Sequence, residues 1–306
     1  MNYKYSIVIP VYNGAKTIEE LFDRIKKTFE LTGNAFEVVF IEDGGMDNSW
    51  DVIDVLKKKF PNDIIAIKLA RNFGQHNAIL CGIHFVSGDF IITIDDDLQI
   101  PPEEIPKLIK AQAETGAELV YGVYEAKQHG FMRNLGSRMI QRILKMAFDA
   151  KGPITSFRLI SSSLYERIKS HKQSFIYIEG LFLWHTQHIA RVVVDHKSRR
   201  IGESNYTFAK LLQLTINLIF NFTTFPLRII IFIGLAFSIV SFGLGAFFIF
   251  RKIFYEVPLG YTSIIVSIYF SSSVLLLILG VMGEYLSRLY SLQNNRPQFS
   301  IKEILK

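Results

Sequence analysis

Phe90-Ile91-Ile92-Thr93-Ile94-Asp95-Asp96-Asp97-Leu98-Gln99 is an apolar, β-branched run that stops abruptly at three carboxylates. A short apolar run with a hard polar boundary reads as a buried strand. Pro101-Pro102-Glu103-Glu104 follows, with prolines and acidic residues suited to the first turn of a helix. Four more runs of the same kind lie at 6–12, 36–43, 64–70 and 118–124. Between them, residues 17–31, 49–60, 76–86 and 102–115 carry helical patterns. Strands alternating with helices predict an α/β fold, Rossmann-like, with a mostly parallel sheet covered by helices. Such sheets bind ligands at the carboxyl ends of their strands. Asn13-Gly14, Glu42-Asp43, Arg71-Asn72 and Asp95-Asp96-Asp97 all fall there.

Three adjacent carboxylates repel one another at neutral pH unless a cation sits among them, and hard oxygen ligands suit Mg²⁺ or Mn²⁺. A metal there can bridge phosphates and neutralise charge on a leaving diphosphate. A solvated acidic turn at a helix start is the ordinary alternative. Asp43-Gly44-Gly45 is a plain turn in isolation, but beside Asn13-Gly14 it makes a polar rim where a nucleotide fits. No G-x-G-x-x-G opens the first helix and no G-x-x-x-x-G-K-[ST] occurs, which disfavours a dinucleotide fold and a P-loop NTPase. The seven histidines share no metal-ligand spacing, and one cysteine, Cys81, excludes intramolecular disulfides and Cys-rich zinc sites.

The 306 residues carry a net charge of +6, and 49% of them are hydrophobic against 20% charged. That balance argues against a disordered chain and hints at a membrane segment. Residues 229–250 and 257–283 are uncharged runs, each long enough for a hydrocarbon core about 30 Å thick. A short linker, 251–256, makes them an antiparallel hairpin. Basic residues flank the outer ends (Lys210, Arg228, Arg288, Arg296, Lys302, Lys306), which places both termini in the cytoplasm. Residues 1–5 show no basic n-region ahead of an apolar stretch, so no secretory signal is expected. Within 131–148, Arg138, Arg142 and Lys145 share one helical face and Leu135, Met139, Ile143 and Met146 another. That reads as a basic amphipathic helix on an anionic bilayer, or as an ordinary surface helix. Residues 206–226 read as an interface helix leading into the first span. Arg199-Arg200, just ahead of it, can clamp a phosphate near the headgroup plane or simply anchor the domain.

Taken together, these stretches resemble the membrane-anchored polyprenyl-phosphate glycosyltransferases of the GT-A, family 2 type, which include dolichyl-phosphate mannose synthase and undecaprenyl-phosphate sugar transferases. The resemblance rests on Ser6-Ile-Val-Ile-Pro-Val-Tyr-Asn13, Arg71-Asn-Phe-Gly-Gln-His-Asn-Ala78, Asp95-Asp-Asp-Leu-Gln-Ile-Pro-Pro-Glu-Glu-Ile-Pro106, Gly202-Glu-Ser-Asn-Tyr206, Pro226-Leu-Arg228 and Gly283-Glu-Tyr285. It implies a GT-A catalytic domain over 1–205, an interface helix over 206–226, a two-helix membrane hairpin over 227–283 and a cytoplasmic tail over 284–306. It also implies inverting transfer from a nucleotide-diphosphate sugar to a polyprenyl phosphate at the cytoplasmic face of the bacterial inner membrane. Pro10, Tyr12, Asn13, Asp43, Asp95 and Asp96 would then line the nucleotide-sugar pocket. Asp95, Asp97 and Gln99 would hold Mg²⁺ or Mn²⁺, and Asp95, Asp97 and Arg200 would carry catalysis. Lys127, Arg133, Arg199, Arg200 and Ser204 would meet the lipid phosphate. The partners implied are the sugar donor, the lipid acceptor and the bilayer, with no nucleic acid; homo-oligomerisation stays open.

The chain departs from the family pattern in places. Gly14 stands where relatives carry Glu, Glu42-Asp43-Gly44-Gly45 replaces Asp-Asp-Gly-Ser, and Asn205 replaces a Lys. Gly152-Pro153-Ile154-Thr155-Ser156 precedes Phe157-Arg158 without the usual Asp. A processive polysaccharide synthase is disfavoured, because neither Trp50 nor Trp184 follows an arginine as Gln-x-x-Arg-Trp requires. A non-catalytic lipid-phosphate scaffold is the remaining alternative, and the intact Asp95–Gln99 run argues against it.

Overall fold

The computed structural model describes residues 4–124, 152–170, 177–197, 260–293 and 297–306, with scattered positions between 229 and 254. The chain divides into two units, Met1–Thr207 with Arg296–Lys306, and Phe208–Asn295.

The first unit is built on one eight-stranded mixed sheet of order β7-β5-β6-β4-β1-β2-β3-β8. Its strands are β1 (Lys4–Val11), β2 (Ala35–Glu42), β3 (Ile64–Leu69), β4 (Phe90–Thr93), β5 (Leu119–Val123), β6 (Arg158–Ser161), β7 (Ile189–Val193) and β8 (Ile301–Leu305). Strand β1 pairs in parallel with β2 and β4, β2 with β3, and β5 with β7, while β6 is antiparallel to β4 and β5. The helices of this unit are α1 (Ile18–Thr32), α2 (Ser49–Lys59), α3 (Gln75–Ile83), α4 (Ile105–Thr115), α5 (Ser162–Lys169) and α6 (Ile178–His185).

Both faces of the sheet are covered, which is why the central strands read as continuous apolar runs. In β1, Ile7, Ile9 and Val11 pack with Leu21, Phe22 and Ile25 of α1. Val8 turns to the other face, with Ile79, Leu80 and Ile83 of α3. Strand order changes direction at β1, between β2 and β4. Such a switch point opens a crevice at the carboxyl ends of the two strands. Pro10 falls at that crevice. Ile94 N–H donates to Val8 O and Asp43 N–H to Val11 O, so even-numbered positions of β1 face β4. The β4 register ends at Val8/Thr93, so Pro10 lacks its N–H where the ladder has already stopped.

Residues 301–305, read from sequence as part of a tail, form β8, which is antiparallel to β3 with Ala66 opposite Leu305 and Ile67 opposite Ile304. Phe299 packs edge-on to His84 at 5.6 Å.

In the second unit the described positions between 229 and 254 are helical, and α7 runs from Tyr261 to Gln293. Phe237 touches Phe270 across this unit at 5.2 Å. Among the described residues one helical window, Phe270–Ser287, is long and apolar enough to cross a membrane. Phe232, Leu276, Leu279 and Leu286 are 60% or more exposed, as side chains facing lipid would be. The expected helices at 131–148 and 206–226, and the linker 251–256 apart from Phe254, lie outside the described residues.

Candidate active site

The loops after β1, β2, β3 and β4 meet at the switch point and are knitted together by side chains. Asn13 sits in the left-handed region, φ 56°, and its Oδ1 accepts from Met46 N–H at 2.8 Å. That bond ties the β1 loop to the turn after β2. Asp43 is buried, and both of its oxygens accept backbone N–H groups, Phe73 at 2.7 Å and Gly74 at 2.8 Å. Burial pushes its carboxyl up to about 6 against those two hydrogen bonds. Asp43 therefore holds the Arg71–Gly74 loop in place. Tyr12, 43% exposed, and the exposed Asn13 form the open rim, while Pro10 is buried.

The three carboxylates after β4 do not converge. Asp96 turns back toward β1, where its Oδ2 accepts from Tyr12 N–H at 3.2 Å. Burial, with the charges of Asp95 and Asp97, pushes the Asp96 carboxyl up to about 7. The repulsion among the three is thus relieved partly by orientation, which the sequence reading had assigned wholly to a cation. Gly14 has a reason here: a Cβ on it would lie 2.3 Å from Asp96 Oδ2. A Glu there, as in the family pattern, would require the Asp96 carboxylate to turn aside.

Asp95 is gripped from two sides. Gln75 Nε2, at the start of α3, donates to its Oδ1 at 2.6 Å, and Ser156 Oγ donates to its Oδ2 at 2.6 Å. Burial raises the Asp95 carboxyl, with Ser156 opposing. Ser156 is fixed in turn, since its carbonyl accepts from Thr93 Oγ1 at 2.5 Å. Asp97 Oδ1 accepts from Gln99 N–H at 3.1 Å, and Leu98 between them is strained at φ 58°. Among the described residues no three His, Cys, Asp or Glu side chains form a metal cage. The donor set still fits Mg²⁺ or Mn²⁺, because these ions bind through one or two carboxylates plus substrate phosphates and water. Asp95 and Asp97, half-buried on one loop, are such a pair.

The β7 extension closes the far side. Lys197 N–H donates to Gln99 O at 2.8 Å, and His196 stacks on Tyr124 at 4.1 Å. Lys127, Arg133, Arg199, Arg200 and Ser204 lie outside the described residues.

Sequence reasoning missed Gln75, His76, Ser156, Arg158 and Glu179. A signal existed for two of them: Arg158 and Glu179 are lone charges inside the apolar runs Phe157–Ile160 and Tyr177–Leu183. A charge in a buried element is nearly always paired. Arg158 is fully buried and its Nη1 lies 3.0 Å from Glu179 Oε1.

Comparison with known proteins adds an independent line. Residues 6–172 match the family described as glycosyl transferase family 2. The undecaprenyl-phosphate 4-deoxy-4-formamido-L-arabinose transferase of Shewanella sediminis is 35% identical, with 98% of this chain and 92% of that one covered. The enzyme of the same name from Pseudomonas aeruginosa is 32% identical over 98% of this chain and 90% of its own. Among solved structures, glucosyl-3-phosphoglycerate synthase from Mycobacterium tuberculosis in complex with uridine diphosphate superposes with a TM-score of 0.53. Its identity is 19%, with 71% of this chain and 79% of that chain covered, which shows a shared fold. The same enzyme with Mn²⁺, uridine diphosphate and glucosyl-3-phosphoglycerate gives a TM-score of 0.51 at 19% identity, over 71% of this chain and 78% of that one.

Proposed function

Because the chain belongs to glycosyl transferase family 2, we propose that it transfers a sugar from a nucleotide-diphosphate donor to undecaprenyl phosphate, with inversion. The observation that carries this is the switch-point site, with Asp95 and Asp97 beside the Tyr12–Gly14 rim, in a chain matched nearly end to end by undecaprenyl-phosphate sugar transferases.

The donor's nucleotide lies over Pro10, Tyr12 and Asn13, on loops that Asp43 and Asp96 hold in place. Asp95, Asp97 and Gln99 hold a divalent cation, which when bound neutralises charge on the departing diphosphate. Gln75 and Ser156 keep Asp95 oriented throughout. The acceptor needs no strong base, since a phosphomonoester has a second pKa of about 6 and is largely dianionic at pH 7. It needs cationic delivery against the donor's own charge. Arg199 and Arg200, with Lys127, Arg133 and Ser204, supply it; Lys197, tied to Gln99, precedes this pair by two residues.

The catalytic domain is cytoplasmic and the second unit crosses the inner membrane twice. Support comes from β8. The chain leaves the first unit after residue 207 and returns to the same sheet at 301–305, so the number of crossings between is even. With a span at Phe270–Ser287, the partner span falls within 229–250.

The test is a mass spectrum of the lipid product formed from undecaprenyl phosphate and a panel of nucleotide sugars. The donor bearing 4-deoxy-4-formamido-L-arabinose is the first to try. A product one sugar heavier than the acceptor is expected; no lipid-linked sugar with any donor refutes the assignment.

A further inference from the structure

Behind Asp95 lies a buried chain of charges that the account so far leaves unused. Arg158 reaches Glu179 Oε1 at 3.0 Å and Thr93 Oγ1 at 3.2 Å, with its guanidinium over the Phe182 ring. Glu179 Oε2 faces His76 Nδ1 at 3.3 Å. His76 is the second residue of α3, directly after the Gln75 that holds Asp95, and its ring meets Tyr177 edge-on at 5.2 Å. The Nδ1 atom is buried, yet the His76 side chain is 30% exposed, so the exposed part is the rest of the ring.

This arrangement sets a proton. Burial raises the Glu179 carboxyl, but His76 and Arg158 more than offset this and hold it below the ordinary range. With a proton on Nδ1 alone the ring would offer Nε2 as an acceptor, so donation from Nε2 takes the doubly protonated ring, a form that the Glu179 carboxylate on one side and a bound phosphate on the other both favour. Glu179 Oε2 and His76 Nδ1 are both buried and neither has a hydrogen-bond partner among the described residues, so the 3.3 Å approach is a charge contact between them. The exposed remainder of the ring lies at the amino end of a nine-residue helix. Helix amino ends favour anions. Four carboxylates, Asp95, Asp96, Asp97 and Glu179, crowd the same region, so a polyanionic substrate needs cations to approach.

We propose that His76 is a substrate phosphate ligand, oriented by Glu179, donating from Nε2–H to a phosphate oxygen of the donor diphosphate or of the acceptor phosphomonoester. This rests on the transferase reading above. Arg158 and Glu179 are positioning residues that act through His76.

The test uses the full-length protein in detergent, with His76→Ala, His76→Gln and Glu179→Gln. One arm titrates uridine diphosphate with Mn²⁺ by calorimetry. The other measures kcat and KM for undecaprenyl phosphate at saturating donor. A charge-assisted hydrogen bond lost in His76→Ala weakens one arm about tenfold to a hundredfold, with kcat changed less than about threefold. A weaker uridine diphosphate Kd assigns the donor diphosphate; a raised KM alone assigns the acceptor phosphate. Glu179→Gln moves the same arm by less. If His76→Ala does not fold, as judged by thermal unfolding, His76→Gln decides, since it keeps a planar N–H without the charge. Both arms unchanged overturn the proposal. So does a hundredfold fall in kcat with Kd and KM intact, which marks a base. A wild-type protein that neither binds uridine diphosphate nor transfers sugar overturns the transferase reading instead.

Discussion

Gly44 shows how closely the site loops are fitted. Its φ is +65°, and a Cβ there would lie 2.4 Å from Asn72 N and 2.5 Å from Arg71 C, both backbone atoms. Neither can move without parting the β2 turn from the loop that Asp43 holds. Gly44→Ala is therefore expected to cost about 2 kcal/mol or more. Thermal unfolding in detergent checks this, and an unchanged midpoint contradicts the fit described. At this scale the Asp95–Gln99 run was legible because carboxylates ending an apolar strand have no packing use. The partners Gln75 and Ser156 were not, because each meets Asp95 across 20 or more residues of chain. Gly14 was visible as a departure from the family, but its cause, the turned-back Asp96, exists only in three dimensions.

The parallel core strands and their helices announced themselves through hydrophobic periodicity, and α1, α2 and α4 lie within a few residues of their expected bounds. Strands β6 and β7 are not legible, because each carries an arginine, Arg158 and Arg191, that breaks its apolar run. Strand β8 reads Ile-Lys-Glu-Ile-Leu, a charged edge with no local signal of its partner. Removing residues 298–306 uncovers the edge of β3 and the Phe299 contact with His84, and is expected to lower the unfolding midpoint by about 5 °C or more. An unchanged midpoint makes β8 an ornament. At the other end of the strands, Glu37 of β2 accepts from Lys4 Nζ at 2.8 Å, Ser6 Oγ at 2.6 Å and Ser87 N–H at 2.7 Å. Burial raises its carboxyl, but these bonds prevail and hold it below its ordinary 4.5. The stabilisation is thus complete above about pH 4.5 and lost as pH falls through the lower folded value. Glu37→Gln is expected to unfold earlier than wild type at pH 7, with the gap narrowing in acid. A gap that stays constant down to pH 3 contradicts this.

On the scale of the whole molecule, the proposed sugar-transfer site sits in a unit whose chain leaves after residue 207 and returns to the same sheet at 301–305. Cys81 is fully buried, so a cysteine placed at the exposed Ser300 reports alone. An impermeant maleimide should label it only after the cells are opened; labelling in intact cells would put β8, and with it the sheet, on the outer side and break the proposed topology. The apolar runs and their basic flanks already predict a hairpin with both termini on one side, and the return of 301–305 to the sheet supports the same reading. The central claim is metal-assisted transfer to a lipid phosphate at Asp95 and Asp97. It is tested most directly by the release of nucleoside diphosphate from purified protein given donor sugar, with and without undecaprenyl phosphate, Mn²⁺ and chelator, in wild type and Asp97→Asn. The account predicts release that requires both lipid phosphate and metal and falls about a hundredfold or more in Asp97→Asn. Release that persists in excess chelator, or at wild-type rate in Asp97→Asn, would contradict it.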